Sequence, residues 1–270
     1  MPRPYSLPFV VPLTLVVLLL ASSCSSGSST LTAPEDPDQP LVLWLYGDSL
    51  LWFPNLGQGG AIDLYTDMVE EDLGGRVSLR RPPSPYGFAT VLVDYLSSDQ
   101  GQRDLAGADM ILIESPLVEL LNAVIVAAGL FEMNPADCGG DDHQQCLRDA
   151  LAGFKDSVET SFAILTETVD PSETLIRAVG GYAPFVTEQI VAGTLAMTNP
   201  YWQEAQEFFA ETAADYGIPT ARVFDEFNGP DGTNDPQDRG LIAADGLHPS
   251  EAGRLLIAET IHDLGYDFAN

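Results

Sequence analysis

Leu41-Val42-Leu43-Trp44-Leu45-Tyr46-Gly47-Asp48-Ser49-Leu50 is the stretch that decides the fold. Its first six residues are all apolar, too short a run for a helix and without the alternation of a half-exposed strand. It suits a strand buried on both faces, stopped by the turn at Gly47-Asp48. Working outward, Ala61 to Leu73 carries apolar residues at helical spacing, Val77 to Leu79 suits a short strand and Ala89 to Leu96 a helix. Met110 to Ile113 is a second continuous apolar strand, after the turn signal Ala106-Gly107-Ala108-Asp109. Further on come helices over Leu147 to Val169, Pro200 to Tyr216 and Pro249 to Leu264, the last opened by its proline, with strands over Thr174 to Val179 and Thr220 to Phe224 between them. Strands that alternate with helices predict an α/β domain: a parallel sheet with helices on both sides. Ser115 to Gln145 breaks that rhythm and reads as an insertion, with Leu117 to Phe131 as its helical part.

The chain has 270 residues and a formal net charge of -29, with only 11 Lys and Arg. Phosphate backbones demand clustered cations, and Arg80-Arg81 is the only adjacent pair, so nucleic acid is excluded as a partner. The N-terminus reads as an export signal over residues 1–23: Met-Pro-Arg-Pro, an apolar stretch from Leu7 to Ala21, then small residues. Leu20-Ala21-Ser22-Ser23-Cys24 resembles a bacterial lipobox, which implies lipidation of Cys24 and anchoring on the outer face of the cell membrane. Residues 24–40 are rich in Ser, Gly, Pro and Asp and read as a tether, leaving 41–270 as one folded domain. Cys138 and Cys146 flank Gly139 to Gln145 and are expected to form a disulfide closing a surface loop, as an exported chain allows. A metal site using His143, Asp141 and Asp142 is the alternative at that loop, though it lacks ligands from a second segment. No cofactor is called for.

Ser49 stands just past a strand end, where reactive groups gather in sheets of this kind. A serine needs a base, and the base needs an orienting partner. The chain has three histidines. His143 lies in the cysteine loop and His262 within the last helix. His248 instead stands in Asp245-Gly246-Leu247-His248-Pro249, with a carboxylate three residues earlier that can turn back to the imidazole. Ser49 as nucleophile, His248 as base and Asp245 as the orienting acid follow from that placement.

Gly47-Asp48-Ser49-Leu50 after the first strand and Asp245-Gly246-Leu247-His248-Pro249 near the C-terminus, followed by Ser250-Glu251-Ala252-Gly253-Arg254-Leu255-Leu256-Ile257-Ala258, together resemble the SGNH (GDSL-like) hydrolases. The resemblance implies a flavodoxin-like, three-layer α/β/α domain and hydrolysis of acyl esters through an acyl-serine. It also implies an oxyanion hole built from the N–H of Ser49, a glycine after the second strand, which Gly87 matches, and an asparagine after the third. That asparagine is missing: Met110 to Ile113 is followed by Glu114-Ser115-Pro116-Leu117. Asn122 and Asn234 are the candidates to replace it, although Gly232-Thr233-Asn234-Asp235 sits in a loop where a turn is the plainer role. Glu114 is anomalous, because a carboxylate there would repel a developing oxyanion unless neutral or turned away. The expected substrate is a small acyl ester or an acylated glycan. The other readings are an O-acyltransferase of the cell envelope, using the same acyl-enzyme, and a non-catalytic envelope lipoprotein that keeps the fold to bind a ligand.

Overall fold

In the computed structural model, residues 30–36, 38–52, 60–82 and 88–268 are described. Strands β1 (Leu41–Tyr46), β2 (Val77–Arg80), β3 (Met110–Glu114), β4 (Leu175–Val179) and β5 (Thr220–Ala221) form one parallel sheet in the order β2-β1-β3-β4-β5. The helices among the described residues are α1 (Ala61–Leu73), α2 (Ala89–Leu96), α3 (Asp99–Ala106), α4 (Val118–Ala127), α5 (Gln145–Thr168), α6 (Val186–Ala192), α7 (Leu195–Asp215), α8 (Val223–Asn228) and α9 (Glu251–His262). None of them is long and apolar enough to cross a membrane.

Because side chains alternate across a strand, β1 feeds two cores. Trp44 and Tyr46 join Ile111, Ile113, Ile176 and Ala178 under α2, α4, α5 and α7. Leu41, Leu43 and Leu45 join Met110, Leu112 and Leu175 under α1 and α9. Each fully buried leucine contributes roughly 1.5–3 kcal/mol by leaving water, which is why the uninterrupted apolar run belongs in the middle of the sheet. The α/β/α layers expected from the sequence are thus observed. The connection from β1 to β2 runs one way across the sheet and that from β2 to β3 runs back past β1 the other way, so a crevice opens at the carboxyl end of β1, where Gly47-Asp48-Ser49 emerges.

Several elements differ from the sequence reading. The second core helix begins at Leu195 and carries Pro200 inside it; the proline therefore does not mark its start. Only Thr220 and Ala221 pair with β4, after which Val223 and Phe227, four apart, turn into α8 and pack beneath the sheet. The last helix starts at Glu251, capped by Ser250, whose Oγ accepts the N–H of Gly253 at 3.1 Å. The tether expected over 24–40 is already docked at its far end: Leu31 is buried and its N–H donates to Tyr266 O at 2.8 Å, while Thr30 bridges Asp267. Arg177, in the middle of β4, is buried as well. Its guanidinium donates to the carbonyls of Ile176, Gly265 and Asp267 at 2.8, 2.9 and 2.8 Å, so the charge is solvated by backbone and pins the C-terminal segment to the sheet.

Candidate active site

Ser49, His248 and Asp245 meet at the carboxyl end of β1. His248 Nε2 lies 3.0 Å from Ser49 Oγ, and His248 Nδ1 lies 2.8 Å from Asp245 Oδ2. The other oxygen of Asp245 accepts the N–H groups of Leu247 and His248 at 3.0 and 2.9 Å, closing the Asp-x-x-His turn so that carboxylate and ring face each other. Partial desolvation opposes ionisation of Asp245, but those two N–H groups and the imidazole outweigh it and hold its pKa below the ordinary carboxylate value. The acid is therefore a permanent anion at neutral pH, able to fix the ring's tautomer and to stabilise an imidazolium. From the other side, buried Tyr182 donates its hydroxyl to Leu247 O at 2.7 Å and steadies the same turn.

The turn after β1 is organised by two acids. Asp48 N–H donates to Glu114 Oε2 at 2.6 Å, and Leu50 N–H to Asp48 Oδ1 at 2.8 Å. Among the described residues no acceptor takes the intervening N–H of Ser49. Using up the neighbours on either side leaves that donor for a substrate oxygen. Gly47 is required by the same packing: a Cβ there would lie 2.4 Å from Glu114 Oε2. Burial, reinforced by nearby Asp48, raises the Glu114 pKa well above the ordinary range and favours the neutral acid. Burial also pushes Asp48 up to about 6, against the opposing effects of the Leu50 N–H and His248. The anomaly at Glu114 thus has a physical account. The side chain is turned under Gly47, accepts a backbone N–H, and is disfavoured as an anion.

Beside Ser49 lies a cavity of about 220 Å³, whose wall includes Leu117, Val118, Leu121, Asn122, Tyr182 and Leu247. Of the two asparagines considered for the oxyanion hole, Asn122 on α4 lines this cavity. Asn234 does not: its side chain packs against Gly229, its N–H donates to Asn228 O at 2.9 Å, and Gly232-Thr233-Asn234-Asp235 is a structural loop, as its composition suggested. Gly87 and Cys24 lie outside the described residues. Cys138 and Cys146 are joined, so neither thiol is available to a metal. The bridge stands beneath α4, with Cys146 Sγ 3.4 Å from Ala123 O, and so supports the helix that carries Asn122. His262 pairs with Asp72 at 2.7 Å, away from the site. The sequence reading missed Asp48 as a site residue, and although Gly180 to Asn199 was expected to border the pocket, it did not single out Tyr182. The signal for Tyr182 was its position just past the Gly180-Gly181 turn that ends β4.

No protein-family model and no curated protein matches the chain by sequence. Solved structures do match it. A lipase from a goat rumen metagenome is 18% identical with a TM-score of 0.66, over 84% of this chain and 98% of that one. An extracellular lipase from Streptomyces rimosus is 12% identical with a TM-score of 0.52, over 83% of this chain and 100% of that one. A lipase/acylhydrolase from Enterococcus faecalis is 15% identical with a TM-score of 0.51, over 83% and 94%. At such identities the likeness speaks to architecture, and with the sheet order and the placement of Ser49 it leads to one conclusion: this chain has the three-layer α/β/α fold of the SGNH hydrolases.

Proposed function

We propose that the chain is a serine hydrolase of carboxylic esters that works through an acyl-serine. The observation that carries this reading is the continuous relay from Asp245 through His248 to Ser49, at 2.8 and 3.0 Å, at the edge of a largely apolar cavity. Ser49 Oγ attacks the ester carbonyl while His248 Nε2 takes its proton, and Asp245 stabilises the imidazolium. The oxyanion is held by the N–H of Ser49, with Gly87 and Asn122 as the further donors. His248 then protonates the departing alcohol, and a water activated by the same nitrogen returns the acyl group as a carboxylic acid. That the fold's solved relatives named above are lipases supports the ester bond as target.

The test is hydrolysis of p-nitrophenyl acetate and butyrate by the full chain beside Ser49→Ala. Turnover is expected to fall about 10³-fold or more in the variant, and a fluorophosphonate is expected to label Ser49 alone. A folded protein that neither hydrolyses these esters nor takes the label at Ser49 refutes the proposal. We also propose that the chain is exported and held on the outer face of a bacterial membrane through lipidated Cys24. The mass of the mature N-terminal peptide, with and without Cys24→Ser, decides it.

A further inference from the structure

The cavity beside Ser49 is small. At about 220 Å³ it falls below the roughly 300–1,000 Å³ usual for ligand pockets. Two of its wall residues, Leu121 and Leu247, also pack against a separate apolar cluster of Ala128, Leu130 and Phe185. The cavity and that cluster therefore share a boundary. On the outer side of Phe185 stands Phe131, edge to face with ring centroids 5.1 Å apart and 63% exposed. Met133, two residues on, is also exposed.

Phe131 is held there against local preference. It and Glu132 both have left-handed backbone angles, φ 54° and 65°, a region that residues with side chains avoid. The segment is fixed from both ends. Gly129 N–H donates to Val126 O and Met133 N–H to Leu130 O, each at 3.0 Å, and the following turn leads to the Cys138–Cys146 bridge. Neither burial nor backbone propensity accounts for a phenyl ring displayed in this way.

Building on the ester-hydrolase reading, we propose that Leu121, Leu247 and Phe131, the last backed by buried Phe185, form a distal acyl subsite, so that the preferred esters carry a medium to long chain whose first carbons fill the cavity and whose remainder lies across the Phe131 ring. The occupant is an alkyl chain because half-buried Leu121 and Leu247 carry apolar surface from the cavity wall toward the exposed ring of Phe131.

The decisive comparison is kcat/KM for p-nitrophenyl acetate, octanoate and laurate in the full chain, Phe131→Gly and Phe131→Leu. Glycine suits the left-handed angle, so Phe131→Gly is expected to fold and to melt no lower than the parent. It should lose about tenfold on laurate, the scale of a few buried methylenes, with acetate unchanged. Phe131→Leu keeps an apolar surface and should retain the preference for laurate. Equal losses at every chain length, or an unchanged laurate value in Phe131→Gly, overturn the subsite. So does a variant that alters adsorption to neutral phosphatidylcholine vesicles without altering chain preference, since that marks a membrane-docking face. Laurate binding measured by calorimetry, about tenfold weaker in Phe131→Gly, separates the two proposals: loss of all esterase activity sinks the hydrolase reading, whereas equal laurate affinities sink the subsite.

Discussion

Asp48→Asn probes the burial of an acid next to the nucleophile. Asp48 is 8% exposed, and its pKa moves from 3.8 to about 6 because burial outweighs the Leu50 N–H and His248. Between those two values the folded chain binds the proton better than the unfolded chain does, so stability falls as pH rises through the window. Below about pH 4 the carboxyl is neutral in both states and costs nothing; above about pH 6 the loss is complete, roughly 3 kcal/mol. Asparagine keeps the shape and the oxygen that accepts the Leu50 N–H but cannot ionise. Urea unfolding of parent and variant at a series of pH values is the assay, with stability taken from midpoint and slope. The advantage of Asp48→Asn is expected to grow by roughly 3 kcal/mol between about pH 4 and about pH 7. Carboxylates remote from residue 48 cancel in that difference; Glu114, which the Asp48 charge holds back from ionising, is relieved in the variant and acts in the same direction, and a change in packing shifts the curve without tilting it. A difference that stays flat with pH, or that moves toward the parent as pH rises, refutes the reasoning.

Gly47→Ala would place a methyl 2.4 Å from Glu114 Oε2, and displacing that carboxyl strips Asp48 N–H of its acceptor. The expected loss is about 2–4 kcal/mol by urea unfolding. In Gly47→Ala/Glu114→Ala the carboxylate clash is gone and only the 3.1 Å approach to the Cβ of residue 114 remains, so the double variant should be only slightly worse than Glu114→Ala alone; strictly additive losses would show that the two residues do not meet. Reducing the Cys138–Cys146 bridge is expected to cost about 2–3 kcal/mol of stability while Ser49 stays reactive toward a fluorophosphonate. Loss of labelling in the reduced but still folded protein would contradict a purely supporting role for the bridge.

The central strand, α1 and α2 were legible to the residue because their apolar pattern has one period from end to end. The relay was legible too, since Ser49 follows a buried strand and Asp245 precedes His248 by one turn. What escaped depends on residues distant in sequence. Glu114 reads as a charge at a strand end, and only the missing Cβ of Gly47, just past the end of the neighbouring strand, reveals why it can be buried there. Asp48 reads as part of a turn, and its raised pKa comes from what covers it. The helix α3, Asp-Gln-Gly-Gln-Arg-Asp-Leu-Ala, buries only Gly101 and Leu105 and has too few apolar residues to announce itself. Thr220 to Phe224 looked like one strand because β-branched and aromatic residues suit a strand as well as a buried helical turn. Tertiary packing divides it after Ala221.

The docking of Thr30 and Leu31 onto Tyr266 and Asp267 gives the molecule two poles. Every strand points its carboxyl end toward Ser49, and α9 runs back from the His248 loop to the opposite end, where Arg177 clasps Gly265 and Asp267. Thr30 therefore stands beside the C-terminal segment, at the end of the domain opposite the nucleophile. A chain held through that end would present its mouth at the opposite one. Its esters would then arrive from outside as dispersed molecules or as groups on neighbouring structures.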